Sequence, residues 1–232
     1  MINQFSRSEL LLGADGINKL KNASVAVFGV GGVGSYTAEA LARSGVGHIT
    51  LVDNDTVNIT NINRQLIALH STVGMPKVEA AKARILDINP ECDVTALNCF
   101  YTGNELDLSG FDYIADAIDS VASKLNLIEN AIKCGIPIIS SMGTGNKLDP
   151  TKLVVTDISK TEMCPLAKVV RVELRKRGIN HHKVVYSTEK PVPHKCESEE
   201  DEAKRKTIGS VAFVPSVAGL IIASEIIRNL TC

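Results

Sequence analysis

Six residues, Gly29-Val30-Gly31-Gly32-Val33-Gly34, carry the spacing G-x-G-x-x-G. Glycines so placed let backbone N–H groups approach phosphate oxygens at the positive end of a helix. The spacing alone describes many tight turns, but its context is more specific. The loop leaves a β-branched apolar run (24–28, SVAVF) and opens a helical pattern (33–43). Nineteen residues after Gly34, Asp53 follows a second such run (48–52, HITLV). An acid at that point accepts hydrogen bonds from ribose hydroxyls, which completes a mononucleotide-binding arrangement. NAD and ATP both satisfy it.

The next segment separates them. Residues 53–65, DNDTVNITNINRQ, are dense in polar groups just beyond a strand's carboxyl end, where ligands sit in parallel sheets. Asn61 and Arg64 are three apart and share a face on a helical turn. Lys77 opens the following helix. Arg64 and Lys77 together suit a triphosphate, where they offset the charge that builds as a bond to phosphorus breaks. Asp116 and Asp119 leave another strand end, in Ala115-Asp116-Ala117-Ile118-Asp119-Ser120. A carboxylate there can hold Mg²⁺ while phosphates complete its shell; Asp119 or Ser120 can equally cap the helix that follows. A nicotinamide-linked dehydrogenase would use the glycines and Asp53 but leave Arg64, Lys77 and Asp119 idle.

These residues need a scaffold, and the chain alternates strand and helix patterns to build one. Helices are expected over 76–89, between Pro76 and Pro90, and over 121–133, which runs up to Gly135. Strands are expected near 93–97, over 113–117 and over 136–140. Such alternation implies right-handed parallel crossovers, hence an α/β fold with a doubly wound, mostly parallel sheet. The second half changes character. Two strand-like runs (152–157 and 183–186) flank a basic helix over 165–177, the stretch 191–207 reads as a charged surface loop, and an apolar helix is expected over 215–229. No linker demands two independent domains. The expectation is one domain over 1–232, with a nucleotide-binding core to 145 and a smaller α+β extension over 146–232.

Composition narrows the function. The 232 residues have a formal net charge of −1, so the chain is no basic nucleic-acid coat. Aromatics are 4%, with no Trp, which disfavours a stacking platform for single strands. The six cysteines include no C-x-x-C pair, so no structural zinc is expected. The first residues, MINQFSRSEL, lack the pattern of a signal peptide. A cytoplasmic protein with reduced thiols is expected. The apolar stretch 211–227 is short for a membrane span and holds Pro215 and Glu225, so it reads as a buried helix.

In order along the chain, the glycine loop, D-x-D-x-V-x-x-x-N-x-x-R-Q (53–65), Pro-Lys-Val-Glu (76–79) and D-x-x-D-S (116–120) resemble the ubiquitin-activating-enzyme-like superfamily of ThiF-type adenylyltransferases. The resemblance implies that a substrate carboxylate attacks the α-phosphorus of ATP and pyrophosphate leaves. It implies that Gly29, Gly31, Gly32 and Gly34 bind phosphate and that Asp53 binds ribose. Asn61, Arg64, Gln65 and Lys77 would hold the triphosphate, and Asp119, beside Ser120, would hold Mg²⁺. Arg7, in Phe5-Ser6-Arg7-Ser8-Glu9, looks like the arginine that such homodimers insert into the partner's ATP site; by itself it reads as a surface charge.

Within that superfamily, the wording of 5–13 (FSRSELLLG), 61–65 (NINRQ) and 148–151 (LDPT) is similar to the transfer-RNA threonylcarbamoyladenosine dehydratases. In that family the activated carboxylate belongs to a threonyl group on a transfer-RNA adenosine, and a nitrogen of the same modification closes a ring. No acceptor cysteine is then needed. The alternative is adenylation of the C-terminal glycine of a ubiquitin-like sulfur-carrier protein. A block over 168–195 carries eight lysines and arginines against two glutamates, which suits contact with a phosphate backbone or a solvated helix face. Transfer RNA, a second copy of the chain and cysteine-desulfurase or sulfur-acceptor proteins are the expected partners, with no membrane.

Overall fold

Runs such as Val25-Ala26-Val27-Phe28 are apolar at every position, as strands covered on both faces must be. The structure, a computed structural model, describes residues 2–193 and 208–232. Most of the expected charged loop, with His194, Lys195 and the acidic run after it, lies outside the described residues.

The chain order is α1 (Ser6–Asn22), β1 (Ser24–Phe28), α2 (Gly34–Ser44), β2 (His48–Val52), α3 (Lys77–Ile88), β3 (Asp93–Leu97), β4 (Tyr113–Asp116), α4 (Val121–Cys134), β5 (Ile138–Ser141), β6 (Leu153–Asp157), α5 (Pro165–Lys176), β7 (Lys183–Ser187) and α6 (Phe213–Thr231). Seven strands form one sheet in the order β3-β2-β1-β4-β5-β7-β6. Every neighbouring pair is parallel except β6 with β7. Because β7 also pairs with β5, the sheet continues without a break into the second half of the chain.

One apolar cluster joins the sheet to α2, α3 and α6 through Leu41, Ile85 and Ile222. The other joins it to α4 and α5 through Leu127, Ile128 and Val170. Helices therefore cover both faces, and the strand order reverses between β1 and β4. A crevice opens at such a reversal, beyond the carboxyl ends of the two strands.

Helix α6 fixes one wall of that crevice. A Cβ at Gly219 would collide with the Val33 carbonyl, so α6 and α2 cross with almost no side chain between them. The Thr37 hydroxyl donates to the Gly219 carbonyl at 3.1 Å across the crossing. Truncating the fully buried Ile226 to Ala would cost about 2–5 kcal/mol in lost burial and cavity. By length and composition α6 is the one helix among the described residues that could cross a membrane, yet its Val214, Ile222 and Ile226 face the core of this fold.

Three departures from expectation exceed a single residue. Helix α1 has no counterpart in the sequence reading, because Gly13 breaks it with φ 72° and only Gly16 and Leu20 are buried. Strand β5 begins two residues late, since Pro137 has no N–H to donate and its carbonyl instead accepts from Ile114 N at 2.9 Å. Helix α6 begins at Phe213, two residues before Pro215, which is tolerated in a first turn where no intrahelical donor is needed.

Candidate active site

At the reversal lies a cavity of about 380 Å³, the larger of the two described. The glycine loop forms its floor. Gly29 takes φ 83°, and a Cβ at Gly34 would strike the Gly29 carbonyl. Gly34 is thus a packing residue outside the lining, whereas Gly29, Gly31 and Gly32 face the cavity. The first amides of a helix lack intrahelical partners, and the loop that lines the cavity leads directly into α2.

Asp53 follows β2 and locks the loop. Its Oδ2 accepts Val30 N–H at 2.6 Å and its Oδ1 accepts Asp55 N–H at 2.8 Å. Burial pushes its carboxyl above the ordinary range, and the charge of Lys77 opposes that shift. Each oxygen keeps a further lone pair for a hydroxyl donor.

Lys77 is 5% exposed at the start of α3. Its Nζ pairs with Asp55 Oδ2 at 2.6 Å, and its backbone N–H donates to the Asp55 carbonyl. The sequence reading gave Asp55 no role, yet Asp55 aims the lysine. Arg64 donates through Nη1 to Thr60 O and to Asn63 Oδ1, each at 2.9 Å. Among the described residues nothing engages its other nitrogens, so they can meet a ligand.

Asn61 does not line the cavity. Its Oδ1 accepts Asn58 N–H at 2.9 Å, so it shapes the turn that carries Arg64 rather than reaching into the space. Gln65 is 7% exposed and does line it, and its buried Oε1 has no partner among the described residues. An orphaned buried acceptor beside a glycine loop fits a ligand that brings its own donors or bound water.

The opposite wall is the turn after β4. The sequence offers two carboxylates here, and their surroundings separate them. Asp116 and Lys124 are both 0% exposed and pair at 2.7 Å. The other oxygen, Oδ1, accepts Ile118 N–H at 3.0 Å, and Lys124 also donates to the Ser141 carbonyl at 3.1 Å. Asp116 therefore holds the turn, and Asp119 is the carboxylate presented to the cavity, exposed and without a hydrogen bond among the described residues. Ser120 is the N-cap residue of α4 but makes no side-chain cap, and it too lines the cavity. No group of three or more His, Cys, Asp or Glu able to hold a metal occurs among the described residues. One carboxylate beside a phosphate site matches the way Mg²⁺ is usually bound, with phosphate oxygens and water filling the rest of its shell.

The rim belongs to residues the sequence reading passed over. Phe100 is 53% exposed at the cavity edge, and Tyr101 packs edge-on against Phe28 with centroids 4.9 Å apart. The loop behind them is pinned by Glu105, which accepts backbone N–H groups of Thr102 and Gly103. The Thr102 hydroxyl chiefly holds its carboxyl down, to about 2. Thr144 and Ser210 complete the side away from the glycine loop.

Two expectations fall elsewhere. Arg7 is exposed on α1 and does not reach the cavity of its own chain. Three of the seven described cations of the basic block pair with carboxylates: Lys176 with Glu173 at 2.6 Å, Arg177 with Glu129 at 3.2 Å, and Lys183 with Glu225 at 3.4 Å. Arg171 donates to Thr161, which leaves Lys168 and Arg175 as the exposed cations of α5 without a partner among the described residues. Cys164 is buried beside Gly143 at the start of α5, a packing position.

A glycine-floored cavity at the reversal of a doubly wound sheet is where proteins of this architecture take their ligands, and the ThiF family model matches residues 5–232. The chain belongs to that family. It is 53% identical over 242 residues to the tRNA threonylcarbamoyladenosine dehydratase of Bacillus subtilis, covering 99% of this chain and 95% of that one. The Escherichia coli enzyme of the same name is 43% identical over 175 residues, covering 74% of this chain and 65% of its own. Crystal structures of Escherichia coli tRNA N6-threonylcarbamoyladenosine dehydratase in complex with AMP and with ATP superpose with TM-scores of 0.89 and 0.88. Both are 36% identical and cover 98% of this chain and 93% of theirs.

Proposed function

We propose that this protein uses ATP to dehydrate N6-threonylcarbamoyladenosine in transfer RNA to its cyclic form. One observation carries the reading. Arg64, Lys77 and Asp119 converge on the glycine loop of a chain that aligns end to end with a dehydratase of that name.

Asp53 receives the ribose hydroxyls, and Gly29, Gly31 and Gly32 let the α2 amides reach phosphate, with Gly34 closing the loop beneath them. Arg64 and Lys77 neutralise the triphosphate as the threonyl carboxylate oxygen bonds to the α-phosphorus and the bond to pyrophosphate breaks. Gln65 and Ser120 hold ligand oxygens or water, and Asn61 keeps the Arg64 turn in shape. Asp119 would hold Mg²⁺, which would supply positive charge against the triphosphate. A nitrogen of the modification then attacks the acyl carbon, its proton is lost, and AMP departs with the former carboxylate oxygen. The chain's part is positioning and charge. The thiol nearest the site, Cys99, is pushed up by burial, which suits a reaction with no covalent acyl-enzyme.

The protein acts as a homodimer in which Arg7 enters the partner's cavity. It works in the cytoplasm, and cysteine-desulfurase or sulfur-acceptor proteins are its further partners. Exchange of labelled pyrophosphate into ATP tests the reading. Transfer RNA bearing threonylcarbamoyladenosine is expected to stimulate it, and nucleoside mass analysis to show loss of one water. Stimulation by a ubiquitin-like carrier ending in glycine, with no response to the RNA, would replace this reading with the carrier-protein one.

A further inference from the structure

Residues 208–212 run past the mouth of the cavity and are tied down at two points. On one side Asn146, held at φ 55°, exchanges hydrogen bonds with Gly209: its Oδ1 accepts Gly209 N–H and its own N–H donates to the Gly209 carbonyl, each at 2.8 Å. On the other side Asn63 Nδ2 donates to the Ser210 carbonyl at 2.9 Å. The oxygen of the same amide accepts Arg64 Nη1 at 2.9 Å. One side chain therefore joins the cation of the nucleotide wall to the segment that forms the far wall, where Ser210 and Thr144 line the cavity. Pro215, at the first turn of α6 and continuous with that segment, sits against Gly32, so the strap borders the phosphate loop as well.

We propose that Asn63 is a positioning residue that couples the two substrates. By clasping Arg64 and the Ser210 carbonyl at once, it makes nucleotide engagement by the guanidinium fix the 208–212 strap, and so shape the wall that receives the second, carboxylate-bearing substrate. The amide is suited to this because it offers an acceptor and donors in one rigid plane. Neither a carboxylate nor an alcohol of the same reach offers both without changing charge or length. The proposal rests on the cavity being a nucleotide site but does not need the second substrate to be transfer RNA.

Hydrogen exchange of the peptide covering 208–216, with and without the non-hydrolysable probe Mg·AMPPNP, tests it in the full chain. In the wild type the probe is expected to slow exchange of the strap amides several-fold. Asn63→Ala is expected to raise basal exchange and to erase the response, with probe affinity within about threefold. Asn63→Gln, which keeps the amide, is expected to restore part of the response. Asn146→Gly keeps the backbone conformation, loosens the other anchor and leaves Arg64 held; it is expected to raise basal exchange yet retain the response. In the dehydratase assay Asn63→Ala is expected to lower kcat about tenfold with KM for ATP nearly unchanged, as misplaced charge rather than lost binding predicts. A strap equally protected by the probe in Asn63→Ala, or unprotected in the wild type that binds it, overturns the coupling and leaves the proposed function standing. Failure of the probe to bind the wild type overturns the nucleotide site itself.

Discussion

Two lysine–aspartate pairs, one lining the cavity and one buried behind the turn of the opposite wall, are alike in length but not in surroundings. Lys77 and Asp55 meet at 2.6 Å, with the Asp55 side chain 60% exposed. Lys124 and Asp116 meet at 2.7 Å with neither exposed at all. In the first pair water competes for the carboxylate, so a phosphate can draw the ammonium away at little cost. In the second pair no competitor can enter, and removing either partner strands a charge in a low-dielectric interior. The same two residue types thus make an available cation on one wall and a fixed strut on the other. The strut has a defined load: Asp116 turns its second oxygen to Ile118 N–H and so holds Asp119 toward the cavity.

The largest expected effect breaks the strut. Lys124→Met should lower unfolding stability by about 3–5 kcal/mol, read as the urea midpoint, because Asp116 is left buried and unpaired. Adding Asp116→Asn, which keeps an acceptor for Ile118 N–H, should recover a large part of that loss. If Lys124→Met unfolds like the wild type, the two pairs do not differ as argued.

The open wall should respond in the opposite way. Lys77→Ala and Arg64→Ala are each expected to slow ATP–pyrophosphate exchange about 10²–10³-fold, in line with removal of one charge from an electrostatically organised site. Their stability should fall by only about 1 kcal/mol, since the carboxylate partner of Lys77, Asp55, stays open to water when the lysine is removed, and Arg64 gives up only its bonds to Thr60 and Asn63. A loss of stability that matched the loss of rate would make Lys77 a second strut.

These contrasts also show what a reader of the sequence can reach. The sheet, its crossovers and the glycine loop were legible because β-branched runs ending in glycine, with helical spacing after them, leave few alternatives. Arg64, Lys77 and Asp119 were legible as polar residues beyond strand ends. The strut was not. Lys124 looks like one more solvated charge, although it precedes the buried Leu127, Ile128 and Ala131 by three, four and seven residues, the spacing of a single helix face. That placement is the signal that a partner must be buried with it. Asn63 escaped for another reason, since its two bonds join segments 147 residues apart and no local pattern encodes them. Helix α1 was lost to its own kink at Gly13.

The closed region extends to His182, and acid should reveal it. His182 is 6% exposed, its Nε2 lies 2.7 Å from Ser140 Oγ, and its backbone N–H reaches Asp157. Burial, reinforced by the charge of Lys124 and opposed by Asp157, lowers its pKa from 6.5 to about 3. The unfolded chain therefore binds a proton at a pH where the folded one does not. Stability is full above about pH 6.5 and declines as pH falls toward 3, by at most about 1.4 kcal/mol per pH unit. The decline of the urea midpoint between pH 6.5 and 5 should flatten in His182→Gln. An unchanged slope would mean that His182 takes up its proton in place.

The smallest effect belongs to α5, where the pairs are of the open kind throughout. Two of its four cations already have partners, Lys176 an acid and Arg171 a hydroxyl, and Arg177 just beyond the helix pairs with Glu129, so part of the block's charge is already engaged. Only Lys168 and Arg175 among the described residues of that helix remain to neutralise an RNA backbone. Lys168→Ala with Arg175→Ala should weaken transfer-RNA binding only a few-fold at moderate salt. Single-stranded and double-stranded RNA carry similar slopes per contact, so the dependence of log affinity on log salt should become shallower by about 1–2. A steeper change would mean that the paired residues Lys176, Arg177 and Lys183 give up their carboxylates for phosphate, as Lys77 is expected to do in the cavity. An unchanged slope would move the RNA contact off this helix, since two phosphate contacts cannot be lost without releasing fewer counterions on binding.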